Sequence, residues 1–146
     1  MRRARIHAAA AAAGVLACVA IAARAGPAED YMLHCMGCHG ADARGVAGKV
    51  PPLAVSLGRF MRTPAGRSYL LRVPGAANSA LTDAQLAAVL NWLAERYAAA
   101  DDPRALPFTV EEVSRERHTP LTDVKETRRQ VVRELAASGL APPAEY

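Results

Sequence analysis

The sequence predicts an all-α protein, and three observations carry that expectation. No run of alternating apolar and polar residues reads as a convincing strand. Thr82-x-x-Gln85 is a capping box, and behind it Leu86, Val89, Leu90, Leu93 and Tyr97 recur at helical spacing as one apolar stripe. The rest of the chain is punctuated by helix starts and stops: Thr63 before Pro64, Thr109-x-x-Glu112, and Gly139 after a charged amphipathic stretch.

The elements follow in order. Met1 to His7 form a positive segment, Ala8 to Ala23 an apolar one, and Ala23-Arg24-Ala25 a small-x-small cleavage pattern, so 1–25 reads as an export signal with the mature start at Gly26. A spanning anchor is the competing reading, but sixteen mostly Ala residues fall short of the roughly 20 apolar ones a spanning helix needs. Val15-Leu16-Ala17-Cys18 is similar to a lipobox, and lipid attachment at Cys18 would place the protein at a membrane surface. The residues after Cys18 are apolar, where a lipoprotein carries a polar tether. Arg2-Arg3 lacks the surroundings of a twin-arginine signal.

Pro27 to Cys38 reads as a short helix, with Pro27 in its first turn and Glu29 and Asp30 near the positive end of its dipole. Gly45, Gly48, Pro51 and Pro52 make 41–52 a loop. Ser56 and Thr63 are candidate N-caps for helices at 57–62 and 64–73, the second ended by Pro74-Gly75. After the Thr82 helix, Asp101-Asp102-Pro103 breaks the chain. Two further helices are expected, from Thr109 to about Arg117 and from Thr122 to Ser138. On the last, Val124, Val131 and Leu135 with Arg128 between them make a thin apolar stripe, suited to resting on another surface. Covering the preceding domain and docking a partner are the two roles such an element can have, and the first is preferred. The organisation expected is therefore 1–25 signal, 26–100 core domain and 101–146 helical extension.

Composition narrows the function. The chain has 146 residues and a formal charge of +4, but Arg2, Arg3, Arg5 and Arg24 fall in the leader, which has no Asp or Glu; the remainder is balanced. Nucleic acid as a partner is set aside, since displacing counterions from phosphate needs a standing excess of Lys and Arg. Aromatics are 5% and Ala is abundant, so a bound apolar cofactor would help fill the core.

Cysteine usage points to that cofactor. Of three Cys, Cys18 leaves with the leader, so Cys35 and Cys38 remain. Cys35-Met36-Gly37-Cys38-His39 is the C-x-x-C-H signature of covalent haem attachment. Two thiols one helical turn apart can add to the two vinyl groups of one haem, His39 continues the turn to meet the iron, and Gly37 leaves the porphyrin edge clear. Zinc would need more ligands than His34 and His118 supply. A thioredoxin-like site belongs at a strand-to-helix junction, and a plain disulfide leaves His39 unexplained.

Residues 26–98 resemble a small bacterial class I cytochrome c. The resemblance rests on Tyr31, the run Cys35-Met36-Gly37-Cys38-His39-Gly40-Ala41-Asp42-Ala43-Arg44-Gly45, Pro51-Pro52-Leu53, and Leu81-Thr82-Asp83 at the entry to the last helix. It implies one covalent haem c, His39 as proximal iron ligand, Pro51 or Pro52 packing against His39 or holding its ring through a backbone carbonyl, and a last helix crossing the first beside the haem. It also implies a Met sulfur opposite His39. Met61 is the candidate, since Met32 and Met36 are tied to the proximal side; but the family's Met sits just before the last helix, where this chain has 74–81. Asn78, His118 and an open or water-ligated site are the alternatives, while Trp92 and Tyr97 are read as packing residues.

The function expected is that of a periplasmic electron carrier exchanging single electrons with a dehydrogenase or oxidase. A haem enzyme or gas- or peroxide-binding protein with an open sixth site, and a dedicated cytochrome subunit of a periplasmic dehydrogenase, are the competing readings.

Overall fold

The computed structural model describes residues 25–54, 56–98 and 105–140. Most of the leader, Cys18 included, and the Asp101-Asp102-Pro103 break lie outside the described residues. Eight helices occupy the described part: α1 Pro27–His34, α2 Met36–His39, α3 Leu57–Phe60, α4 Pro64–Arg72, α5 Pro74–Ala77, α6 Asp83–Arg96, α7 Val110–Glu116 and α8 Val124–Ala137. There is no strand among the described residues, only an isolated bridge between Val46 and Val50. The all-α expectation holds.

Local chemistry sets the element ends, with four departures from the sequence reading. The first helix does not run to Cys38: Cys35, at φ −125°, leaves the helical region and divides α1 from α2. Thr63 caps α4 as expected, accepting the Gly66 N–H at 3.1 Å. Ser56, by contrast, makes no side-chain cap. The preceding helix ends at Arg72, before Pro74-Gly75 as expected, but Pro74 also starts a helix of its own, because extended Val73 precedes it and a proline ring suits the first helical position. At α7 the capping box is half made: Thr109 accepts the Glu112 N–H, but the Glu112 carboxylate goes to Arg67. Asp123 caps α8, and Gly139, at φ 72°, follows its end.

Helix α6 is the centre of the molecule, with both capping-box bonds present. Its stripe is buried at Leu86, Val89, Leu90 and Leu93. α1 crosses it: buried Asp30 accepts from the Gln85 amide at 3.2 and 3.3 Å, and the Tyr31 ring lies 5.8 Å from that of Trp92.

The C-terminal extension shares this core. Phe108, Val113, Val131 and Leu135 are at most 4% exposed and join the same hydrophobic cluster as Leu57, Phe60 and Leu90. Each such side chain is worth about 1.5–3 kcal/mol over leaving it in water. Two arginines then lock the segments together. Arg67 on α4 uses every donor group it has: Nε and Nη2 grip the Glu112 carboxylate at 2.6 and 2.5 Å, and the rest reach the carbonyls of Met61, Leu106 and Pro107. In the opposite direction Arg117, 5% exposed, donates to the Leu81 and Ser79 carbonyls and to Asp83. The Asn91 amide pairs with both backbone groups of Phe108. The expectation of an element resting on the core domain describes what is seen. No helix among the described residues is long and apolar enough to cross a membrane.

Candidate functional site

The proximal turn is built by short-range bonds. The Cys35 carbonyl accepts from both Cys38 and His39 N–H, at 3.2 and 3.0 Å, so both thiols and the imidazole project from one turn. Tyr31 Oη donates to the Gly40 carbonyl at 2.5 Å and anchors the end of that turn to α1. Burial, with Tyr97, Cys35 and Asp42 nearby, pushes the Tyr31 phenol up to about 12, so it stays a donor.

The loop after the turn folds back under His39. Its pivot is Ala43, fully buried in the left-handed region at φ 57°, whose carbonyl accepts from both Leu53 and Ala54. That conformation costs a non-glycine residue about 1–2 kcal/mol. Gly45 makes the return possible: its N–H donates to the His39 carbonyl, and a Cβ there would lie 2.2 Å from the Val50 oxygen. The loop thereby brings the Pro51 carbonyl to 3.1 Å from His39 Nδ1.

That bond fixes the tautomer. A carbonyl oxygen can only accept, so Nδ1 carries the proton and Nε2 keeps its lone pair. Burial holds the His39 pKa below the ordinary histidine value, against the weaker upward pull of the Pro51 bond, so the ring is neutral at neutral pH. Burial, then Asp30 and Cys38, raises the Cys35 thiol.

Cys35, Cys38 and His39 open on a cavity of about 430 Å³. Pro51 and Pro52 wall it on the loop side; Leu57, Phe60, Leu70, Leu86, Val89, Leu90 and Leu93 supply an apolar interior. The polar groups of the lining include Ser56, Tyr69, Ser79, Lys49, Lys125 and Arg128. Ser56 is the anomaly, at 4% exposure with an Oγ that meets no partner among the described residues. A buried hydroxyl left so costs about 1–3 kcal/mol unless something within the cavity satisfies it. An apolar slot bounded by two thiols and an imidazole fits a haem.

The candidates for a second iron ligand, Met61, Asn78 and His118, are not among the residues that line the cavity. Met61 is 2% exposed but packs in the core outside the cavity lining, with its carbonyl taken by Arg67. Asn78 is also outside the lining, and His118 lies 4.0 Å from Asp83 with its side chain 68% exposed. His34 is exposed at the cavity rim.

Sequence reasoning missed Ser56, Lys125 and Arg128 as lining residues. Arg128 had a signal: it interrupts the 124, 131, 135 stripe at helical spacing, which places it on the packed face. Its guanidinium lies 5.1 Å from the Phe60 ring centre.

A helical fold around an apolar cavity, with C-x-x-C-H at its edge, defines a c-type cytochrome. One cytochrome c-552 of Thermus thermophilus is 33% identical over 119 residues, covering 68% of this chain and 80% of that protein. A second cytochrome c-552 of the same species is 33% identical over 107 residues, 60% of this chain and 82% of the relative. No family profile matches the chain. The chain belongs to the small monohaem, class I-like c-type cytochromes, its cofactor is covalent haem c, and Cys35 and Cys38 fit the attachment motif. It is an electron carrier with redox proteins as partners.

Proposed function

We propose that the mature chain relays single electrons between periplasmic redox proteins, a dehydrogenase or an oxidase, through one haem attached at Cys35 and Cys38 with His39 as proximal ligand. The observation that carries this reading is the His39 Nδ1 to Pro51 carbonyl bond beside the two thiols. It leaves Nε2 as the free donor atom and holds the ring against rotation, as partners of metal-bound histidines do. The bound haem supplies a one-electron ferric/ferrous couple. The chain's own residues do the rest: the loop through Pro51 and Pro52 fixes the imidazole, and the leucines of α3, α4 and α6 exclude water. The leader supports a periplasmic location, with a lipid anchor at Cys18 as the alternative. Expression with the haem-attachment machinery, followed by acid-acetone extraction and intact mass, tests both parts. Pigment that stays on a chain beginning at Gly26 is expected; extractable pigment would defeat the attachment and a diacylated Cys18 the soluble location.

A second reading has its own observation: Met61, Asn78 and His118 all lie outside the cavity lining. With none of these side chains to hold it from the other side, a haem iron held by His39 would offer a site for a small gas or peroxide. The ferric protein should lack the near-infrared band of a His-Met pair, and the reduced protein should bind carbon monoxide rapidly. A band near 700 nm, the wavelength the family resemblance implies, would overturn this reading.

A further inference from the structure

The cavity wall supplied by the extension holds cations where an apolar cofactor slot has no evident need of them. Val124, Lys125 and Arg128 of α8 line the cavity, and α8 packs on α3 and α4. Ser56 stands one helical turn before Phe60, and the Arg128 guanidinium lies over the Phe60 ring. The unpartnered Ser56 hydroxyl and the two cations therefore gather on one wall. α8 is not among the elements packed closely against α1 or the cysteine turn.

Haem c carries two carboxylates on the edge of the ring away from its two thioether links. A carboxylate entering an apolar cavity needs cations or hydrogen-bond donors to offset its desolvation. We propose that Lys125 and Arg128 of the extension, with the Ser56 hydroxyl, receive the haem propionates. Residues 124–128 are then part of the cofactor site, and the extension does more than cover the domain. This rests on the covalent-haem reading above. It gives the Ser56 hydroxyl its partner, gives Arg128 a reason to sit on the packed face, and leaves the exposed Arg129 paired with Glu126 at 2.9 Å.

The holoprotein provides the test, with Lys125→Gln, Arg128→Gln, Arg128→Lys and Ser56→Ala compared against Arg129→Gln. The control removes the same charge from the same helix at a position outside the cavity lining. The readouts are the midpoint potential and the propionate bending vibration in resonance Raman spectra. Lys125→Gln and Arg128→Gln should each lower the potential more than Arg129→Gln, since uncompensated carboxylates favour ferric iron. Arg128→Lys should recover part of the shift, and Ser56→Ala should move the propionate vibration. If Arg128→Gln does not fold, exposed Lys125→Gln carries the comparison alone.

Shifts equal to those of Arg129→Gln, with an unmoved propionate vibration, overturn the proposal. So does a Lys125→Gln variant that changes the axial-ligand bands, which would make Lys125 an iron ligand instead. Haem that acid-acetone strips from the wild type would defeat the covalent reading itself, and the proposal with it.

Discussion

The two halves of the cavity are built over different distances along the chain. The proximal half lies within residues 35–53: two thiols, an imidazole, a left-handed Ala43 and the Pro51 carbonyl are tied by bonds spanning a dozen residues or fewer. The opposite half is assembled from α3, α4, α6 and α8, and is held by Arg67 and Arg117 across 34 to 45 residues. A short loop can be held by its own turns and glycines. A wall drawn from four helices needs packing and buried charge to keep its register.

The largest effect expected is therefore on the proximal half, and it is chemical. Cys38→Ala should leave one thioether site, and the double replacement of Cys35 and Cys38 by Ala none, so pigment should become extractable by acid-acetone in the double variant. His39→Ala should shift the Soret and visible bands of the ferric protein, since the ring that the Pro51 carbonyl orients is gone. A double variant that still retains haem through extraction would break the comparison, since nothing on the other wall could hold it covalently.

The distal half should fail through stability. Arg117→Met removes the donors that satisfy the Leu81 and Ser79 carbonyls and leaves Asp83 without its closest cation. Arg67→Ala strands the Glu112 carboxylate, whose side chain is 19% exposed, together with three backbone carbonyls. Breaking a buried pair from one side costs about 3–5 kcal/mol. Urea unfolding of the holoprotein should show losses of that order, with haem still covalently attached. A loss under about 1 kcal/mol, as for a surface pair, would mean that the extension is not held this way.

Met61 sharpens the contrast. Buried in the core and outside the cavity lining, Met61→Ala should cost about 2–5 kcal/mol through the void it leaves. The visible and near-infrared spectra should not move. A lost near-infrared band would restore Met61 as the distal ligand.

What the sequence made legible divides along the same line. Cys35-x-x-Cys38-His39, the Thr82/Gln85 capping box, Thr63-Pro64 and the Leu86 to Leu93 stripe are patterns whose partners lie within a few residues, and each could be read before the fold was known. Arg117 and Arg128 could not be placed that way. An arginine among charged neighbours reads as solvated, and Arg117 is buried because carbonyls 36 and 38 residues away converge on it. Ser56 misled for the same reason: a serine before a short helix looks like a cap, whereas its surroundings are set by the cavity.

The smallest expected effect concerns pH and the seam between core and extension. Its hydrogen bonds to Arg67 hold the Glu112 carboxyl below the ordinary glutamate value of 4.5. The folded pKa is thus lower than the unfolded one, and the unfolded chain binds the extra proton in the window between them. Stability from this group is fully present above the unfolded value and is lost as pH falls through the folded one. Glu126 and Glu111 are depressed as well, by Arg129 and by helix-end hydrogen bonds respectively, but both are exposed. Subtracting one urea series from another removes their share. The wild type should therefore exceed Glu112→Gln by on the order of 1 kcal/mol at pH 6, and the gap should close as pH falls below the ordinary glutamate value of 4.5. A gap constant across that range would show that Arg67 holds the extension through the carbonyls of Leu106 and Pro107 alone, with no contribution from the Glu112 charge.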